Sequence, residues 1–355
     1  MIARALLVVL ALGIVGAQRG EAVRGAPSAA DGLTLEQQVG QAIVLSFSGK
    51  TVPDYVSEAL AKRRVAGVIL FGGNITGPEQ LRSLTRDLRR SGGRPFVAVD
   101  QEGGKVRRLP WAGPIVAQPE QLARGTVRFD AAAAARVLRA AGVTVTFAPV
   151  ADVPSVTGAA LAGRSFSRDP DVASAAVRAA VRGWRSGGVA PTAKHFPGLG
   201  GAPANTDDAI VTIGRSRAAL DAVDLPPFRA AIVAGVPLVM VGHARYPALD
   251  RSRIASQSRP ILEGLLRDEL GFRGVVVTDS LEAQASLATG SITKVSERAL
   301  RAGADLLLLT GRGSYAPVYE HLLAAARRSP ELRARVREAA ARVLALKARG
   351  AQPPG

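Results

Sequence analysis

The sequence predicts an α/β fold, a (β/α)8 TIM-type barrel in a single domain, on three observations. Eight short apolar runs rich in β-branched residues alternate with longer alanine- and arginine-rich segments of helical period. Some runs are apolar almost throughout, as in Gly274–Thr278 (GVVVT), the pattern of a parallel strand covered on both faces. Ionisable residues stand directly after several runs, at the end of the strands where a barrel builds its site.

The candidate strands, in order, are Gln41–Phe47, Ala66–Phe71, Pro95–Asp100, Thr144–Val150, Ala190–His195, Leu238–His243, Gly274–Thr278 and Ala304–Leu309. Between them, composition and capping predict helices at Asp171–Ser186, Arg259–Leu270 and Ser296–Ala302, the second stopped by Gly271. Glu331–Arg349 reads as a long amphipathic helix suited to closing the barrel. The alternative, a doubly wound open sheet, calls for a glycine-rich phosphate loop after the first strand, and FSGKTVPDYV supplies none.

Hydrophobic residues make up 47% of the chain and aromatics only 4%, so aliphatic and alanine packing must build the core. Lys plus Arg is 46 against 29 Asp plus Glu, a net charge of +17. The arginines are spaced along helices, as at Arg178, Arg182 and Arg185, with no compact basic run carrying interleaved aromatics. That pattern reads as a solvated helix surface and argues against nucleic acid as a partner. At the N-terminus an arginine precedes an apolar run, Ala5–Ala17, shorter than the roughly 20 residues of a spanning helix. Small residues at Val15 and Ala17 suit a signal peptidase, so residues 1–17 read as a secretory signal, with an uncleaved anchor as the alternative. There is no cysteine, hence no disulfide and no lipid-modified cysteine. The expectation is a secreted or bacterial cell-envelope protein with no stable membrane span after cleavage. Residues 18–32 read as a flexible linker, 33–349 as the barrel and 350–355 as a frayed tail.

The polar groups cluster where a barrel would gather them. Asp100-Gln101-Glu102 follows the third strand, Asp152 the fourth, Lys194-His195 ends the fifth, His243 the sixth and Asp279 the seventh. The chain has three histidines and no His-x-x-x-His pair, which leaves a metal site weakly supported. It has no Gly-x-Ser-x-Gly elbow. What remains is carboxylate chemistry: two carboxyls flanking a sugar can cleave a glycosidic bond. Lys194, His195, Arg108 and Arg164 are placed to hold hydroxyls or an acyl group. Alone, Asp279 equally suits a helix N-cap, and His195 a core histidine bonded to a backbone carbonyl.

Six segments, DQEGGKVRRL, GRSFSRDP, AKHFPG, VMVGHARYPALD, LLRDELGFRGVVVTDSL and AGADLLLL, resemble glycoside hydrolase family 3 in this order. They look most like its single-barrel β-N-acetylglucosaminidases, over Leu35 to Arg349. The resemblance implies that Asp279 is the catalytic nucleophile and that Asp100 grips sugar hydroxyls. It implies substrate-binding roles for Arg108, Arg164, Lys194 and His195, and no metal or organic cofactor. The implied activity is retaining hydrolysis of terminal β-linked N-acetylglucosamine in glycans such as peptidoglycan fragments. Glu102 reads as a supporting or turn carboxylate. His243 either supports the site or packs, and His321 reads as a surface residue.

One departure stands out. The single-barrel branch reads KHFPGHG, four residues, then Asp-Ser-His, the Asp-His pair being its acid/base. Here the frame is KHFPGLG, GAPA, then Asn205-Thr206-Asp207. Leu199 and Asn205 replace two of the branch's polar residues, and Asp207 stands where the acid/base histidine belongs. Three readings are open. Asp207 is the acid/base, its pKa raised by burial and nearby charge, with Asp208 supplying that charge or taking the role. Or the loop is a non-catalytic variant, leaving a slow enzyme or an envelope glycan-binding protein. Or Asn-Thr-Asp merely forms an Asx-type turn. A β-glucosidase is a further alternative. The sequence does not set the oligomeric state.

Overall fold

The computed structural model describes residues 29–350. The signal read at 1–17 and the tail from 351 onward lie outside the described residues. Eight strands form a closed parallel barrel: β1 (Ile43–Ser46), β2 (Gly67–Ile69), β3 (Phe96–Val99), β4 (Val145–Thr146), β5 (Ala190–Phe196), β6 (Leu238–Val241), β7 (Val275–Ser280) and β8 (Leu306–Leu309). Neighbours in sequence are neighbours in the barrel, and β1 closes it by pairing with β8, Ile43 opposite Leu307. Each of the eight runs predicted from sequence overlaps one of these strands; β5 runs on to Phe196 and β7 to Ser280, one and two residues past the expected ends. Two small antiparallel pairs decorate the rim, Gln101–Gly103 with Val106–Arg107 and Arg245–Tyr246 with Asp250–Ile254.

Alternation along the strands divides the apolar residues into two packed sets. Val44, Ile69, Phe96, Ala98, Val145, Met240, Val277 and Leu308 fill the inside of the barrel. Their alternates, such as Leu45, Val68, Val97, Val239 and Val276, pack outward against the helices. The last helix, Pro330–Gly350, sends Val343 and Leu346 into the inner set. It therefore seals the floor of a sheet that β1 and β8 already close, a refinement of the role expected for it.

The remaining helices follow local chemistry. Asp169 caps Pro170–Ser186 by accepting from the Asp171 and Val172 amides, and proline opens the first turn. The helix expected at Ser296 starts earlier, at Ile292. The segment Pro260–Glu269 is wound as a π-helix, ending where Leu270 N–H donates to Leu265 O at 2.9 Å. Residues 29–32 correct the linker boundary: they form a 3₁₀ turn with Ala30 buried, and Asp31 pairs with Arg337 of the last helix. Among the described residues no helix is long and apolar enough to cross a membrane.

Part of the arginine excess is structural. Arg89 donates to Gly142 O at 2.9 Å and Arg185 to Ala234 O at 2.8 Å, so helix ends are stapled to the loops entering later strands. The densest staple surrounds Asp305, which is fully buried. Its carboxylate accepts from Arg267 at 2.7 Å, Arg335 at 2.6 Å, Arg342 at 3.0 Å and Val276 N–H at 2.9 Å. One anion thus joins the π-helix, the last helix, β7 and β8. Removing it strands guanidinium groups at the barrel floor. Asp305→Ala should lower the unfolding free energy by about 3–5 kcal/mol, read from urea denaturation. A loss below about 1 kcal/mol would show that water compensates these arginines.

Candidate active site

The barrel brings the strand ends together around a cavity of about 280 Å³. Its polar lining is Asp100, Arg108, Arg164, Lys194, His195, Asn205, Asp207, Asp279, Ser280 and Thr310, over apolar Ile69, Phe71, Phe147, Met240 and Leu308. All seven site residues expected from sequence line this one cavity.

On one wall the charges are matched. Lys194 Nζ lies 2.9 Å from Asp100 Oδ1 and 2.7 Å from Glu102 Oε1. Arg164 grips Glu102 with two bonds, Nη2 to Oε1 at 2.7 Å and Nε to Oε2 at 2.9 Å. Arg108 Nη2 is 3.6 Å from Asp100 Oδ2, and its guanidinium lies over the Phe71 ring at 5.6 Å. Burial pushes the Asp100 and Glu102 carboxyls up, but the Lys194 charge, with Arg164 beside it, outweighs burial and holds both below the usual range. The same pairing overcomes burial to raise Lys194. Glu102 is thus a buried carboxylate that fixes Lys194 and Arg164, in keeping with the supporting part read for it.

The second cluster hangs on Asp152, just beyond β4 and fully enclosed. Its Oδ1 accepts from Leu199 N–H at 2.6 Å, and both oxygens accept from His195 N–H at 3.1–3.2 Å. His195 Nδ1 lies 2.8 Å from Oδ2. That contact puts the ring proton on Nδ1 and leaves Nε2 facing Asp279 Oδ2 at 3.8 Å. The Lys194–His195 peptide is cis, and both side chains line the cavity. Sequence reading placed Asp152 at the rim but gave it no partner; the signal was there only as a carboxylate after a strand.

Asp279 ends β7, where Ser280 N–H holds its Oδ1 at 2.8 Å and leaves Oδ2 toward the cavity. His243 is fully buried and kept neutral, since burial lowers its pKa despite nearby carboxylates. Its Nε2–H donates to Ser280 O at 2.8 Å and its Nδ1 accepts from Ser256 Oγ at 2.8 Å. It supports the strand end that carries Asp279. His321 is half-buried and pairs with Glu297 at 2.7 Å, away from the cavity.

The loop after β5 presents Asp207. Gly200 lies against the Val153 backbone so closely that a Cβ would stand 1.9 Å from Val153 O, which explains a glycine there. Tyr246 Oη donates to Gly198 O at 2.8 Å. Farther on, Thr206 O and Asp207 O accept from the Ala285 and Gln284 amides at 3.1 and 3.0 Å. The loop is therefore clasped to the segment that follows Asp279. Asp207 stands exposed at the cavity rim; partial loss of hydration there, then the Asp279 charge, push its carboxyl up against the opposing hydrogen bond from Asn205. Asn205 Nδ2 donates to Asp207 Oδ2 at 2.8 Å. The adjacent Asp208 is exposed and does not line the cavity.

This geometry can be set beside known proteins. Residues 34–346 match the glycosyl hydrolase family 3 N-terminal domain. A β-hexosaminidase of Nitrosomonas eutropha is 35% identical over 278 residues, 75% of this chain and 80% of that protein. A β-N-acetylhexosaminidase structure from Beutenbergia cavernae superposes with a TM-score of 0.82 at 33% identity, covering 89% of this chain and 99% of that one. A glycoside hydrolase family 3 β-N-acetylglucosaminidase from a Paenibacillus strain superposes with a TM-score of 0.86 at 34% identity. The match covers 90% of this chain but 63% of that longer one. The chain belongs to glycosyl hydrolase family 3, the glycosidases that hydrolyse O-glycosyl bonds on a (β/α)8 barrel.

Proposed function

We propose that the chain is an exported, retaining β-N-acetylhexosaminidase that removes terminal β-linked N-acetylglucosamine from glycans such as peptidoglycan fragments. The observation that carries this reading is the pairing of Asp279 with Asp207 in one cavity, the second, at the rim, pushed toward its protonated form by partial loss of hydration and by the charge of the first. Asp279 Oδ2 attacks the anomeric carbon while Asp207 protonates the departing oxygen, forming a glycosyl ester. Asp207 then takes a proton from water, and the resulting hydroxide displaces Asp279. Asp100, Lys194, Arg108, Arg164 and His195 hold the sugar. In the second step Asp207 begins ionised, so it repels a phosphate dianion and favours water as acceptor. The hexosaminidase relatives support the acetamido sugar. The Ala5–Ala17 run supports export.

One contact favours a second reading. The hydrogen bond that Asn205 Nδ2 donates to Asp207 stabilises the ionised carboxylate and opposes proton donation, as in a protein that binds glycans without turning them over. Release of nitrophenol from an aryl β-N-acetylglucosaminide separates the two, and a panel of aryl glycosides separates both from a β-glucosidase. Asp279→Asn should cut kcat by several orders of magnitude in a folded protein. Wild-type turnover by that variant would remove Asp279 from the mechanism.

Asp207→Ala should slow substrates with poor leaving groups far more than activated aryl glycosides, and azide should restore turnover of the latter. In the wild type, kcat/KM should fall as pH rises through the raised Asp207 pKa, because the acid must be protonated. The variant should lack that basic limb. Equal slowing of good and poor leaving groups, without rescue, would exclude Asp207 as acid/base. Export has its own readout: mature protein from the native envelope or medium should lack Ala5–Ala17 or be held at the membrane by it. Full-length protein soluble in the native cytoplasm would contradict export.

A further inference from the structure

Ser280 and Thr310 form part of the cavity lining, at the ends of β7 and β8. Their hydroxyl oxygens are 2.6 Å apart. Glu282 Oε2 lies 3.3 Å from both hydroxyl oxygens and accepts from Thr310 N–H at 2.9 Å. Two hydroxyl protons serve this cluster. One lies between the two oxygens, so only one of the two hydroxyls donates to the carboxylate at a time; the hydroxyls keep lone pairs but no free proton. A ligand group meeting this wall must be a donor.

The charge on this side is unmatched. Glu282 forms none of the ion pairs found among the described residues, and its Oε1 is buried with no hydrogen-bond partner. On the facing wall, Asp100 and Glu102 are matched by Lys194, Arg108 and Arg164. In a chain of net charge +17, the cavity thus has one neutralised wall and one whose accepting hydroxyls are backed by the Glu282 carboxylate, which stands behind them and does not itself line the cavity. An ammonium group has three donors, no acceptor and the opposite charge.

Ser280 follows Asp279, its amide holds Asp279 Oδ1 at 2.8 Å, and both residues line the cavity, so a group held by the Ser280 hydroxyl lies near the carbon that Asp279 would attack. We propose that the Ser280 and Thr310 hydroxyls, backed by the Glu282 carboxylate, recognise a free ammonium group on the carbon next to the anomeric centre. De-N-acetylated β-glucosaminides are then substrates alongside their N-acetylated counterparts. This inference rests on the hydrolase reading above. An acetamido N–H also donates to the hydroxyls, but it carries no charge for Glu282 to meet.

The test compares 4-nitrophenyl 2-amino-2-deoxy-β-glucoside with its N-acetyl counterpart, below the pKa of the amine. Wild-type protein should turn over both. Glu282→Gln should lower the ratio of kcat/KM, amine over N-acetyl, by about tenfold or more, because only the amine loses a charge partner. Thr310→Val, which leaves Glu282 in place, should lower the same ratio and serves if the glutamine variant does not fold. An enzyme active on the N-acetyl substrate but inert on the amine would overturn the proposal, as would an unchanged ratio in Glu282→Gln. If neither glycoside is cleaved, the hydrolase reading fails and binding decides. Methyl β-glucosaminide should then bind wild type about tenfold more tightly than Glu282→Gln by calorimetry, and equal affinities would overturn the ammonium site.

Discussion

The Asp152 carboxylate holds together the parts of the site that come from different strands. It accepts three N–H groups, two from His195 and one from Leu199, and it is buried at 1% exposure. Such a group cannot be left without donors at little cost, so the end of β5 and the start of the following loop are bound to take the positions that satisfy it. The His195 ring then has one orientation and one tautomer. The loop that carries Asp207 then leaves β5 in a fixed direction, and the Gln284 and Ala285 amides catch its far end. A barrel alone would bring the strand ends into one region. Asp152 and this clasp bring particular atoms together.

Electrostatics divides the cavity into parts with different tasks. Lys194, Arg108 and Arg164 neutralise Asp100 and Glu102, giving a stiff wall of charged hydrogen-bonding groups suited to neutral sugar hydroxyls. Asp279 and Asp207 have no arginine or lysine within ion-pair distance among the described residues; their neighbours are His195 and Asn205. That lack of compensation is what lets one carboxyl rise beside the other, the condition under which two like groups divide into a base and an acid. The histidine normally found in this branch would supply a proton at its own pKa. In the reading proposed above, an aspartate reaches the same state through partial loss of hydration at the cavity rim and repulsion from Asp279, which act in the same direction.

Much of this was legible in the sequence, and the reasons for the rest are physical. The strands were visible because runs such as VVVT and LLLL have no polar face to hide, and the carboxylates after them stood out for the same reason. The polar lining then followed from the barrel. Lys194 and His195 were both expected in the site from their place at a strand end and the family motif; strand alternation alone, which sends neighbours to opposite faces, would not have put both in the cavity they line. The part played by Asp152 was hidden because two of its three donors are backbone amides and the third, the His195 ring, lies 43 residues away in sequence. Ser280, Glu282 and Thr310 were silent as a group, being polar residues brought together by the pairing of β7 with β8. Val343 and Leu346 in the barrel floor and the turn at Ala29–Gly32 depend on tertiary contacts that no local pattern announces.

The mechanism proposed above requires a covalent bond between Asp279 and the sugar. A fluorinated N-acetylglucosaminide with a good leaving group slows both steps by destabilising positive charge at the anomeric carbon, and breakdown of the ester lags its formation. Mass spectrometry of protein treated this way should show one added sugar residue, with fragment ions of the peptide Gly274–Lys294 placing it on Asp279. Label on another side chain, or rapid turnover of the unfluorinated glycoside with no covalent species at any time, would contradict the account.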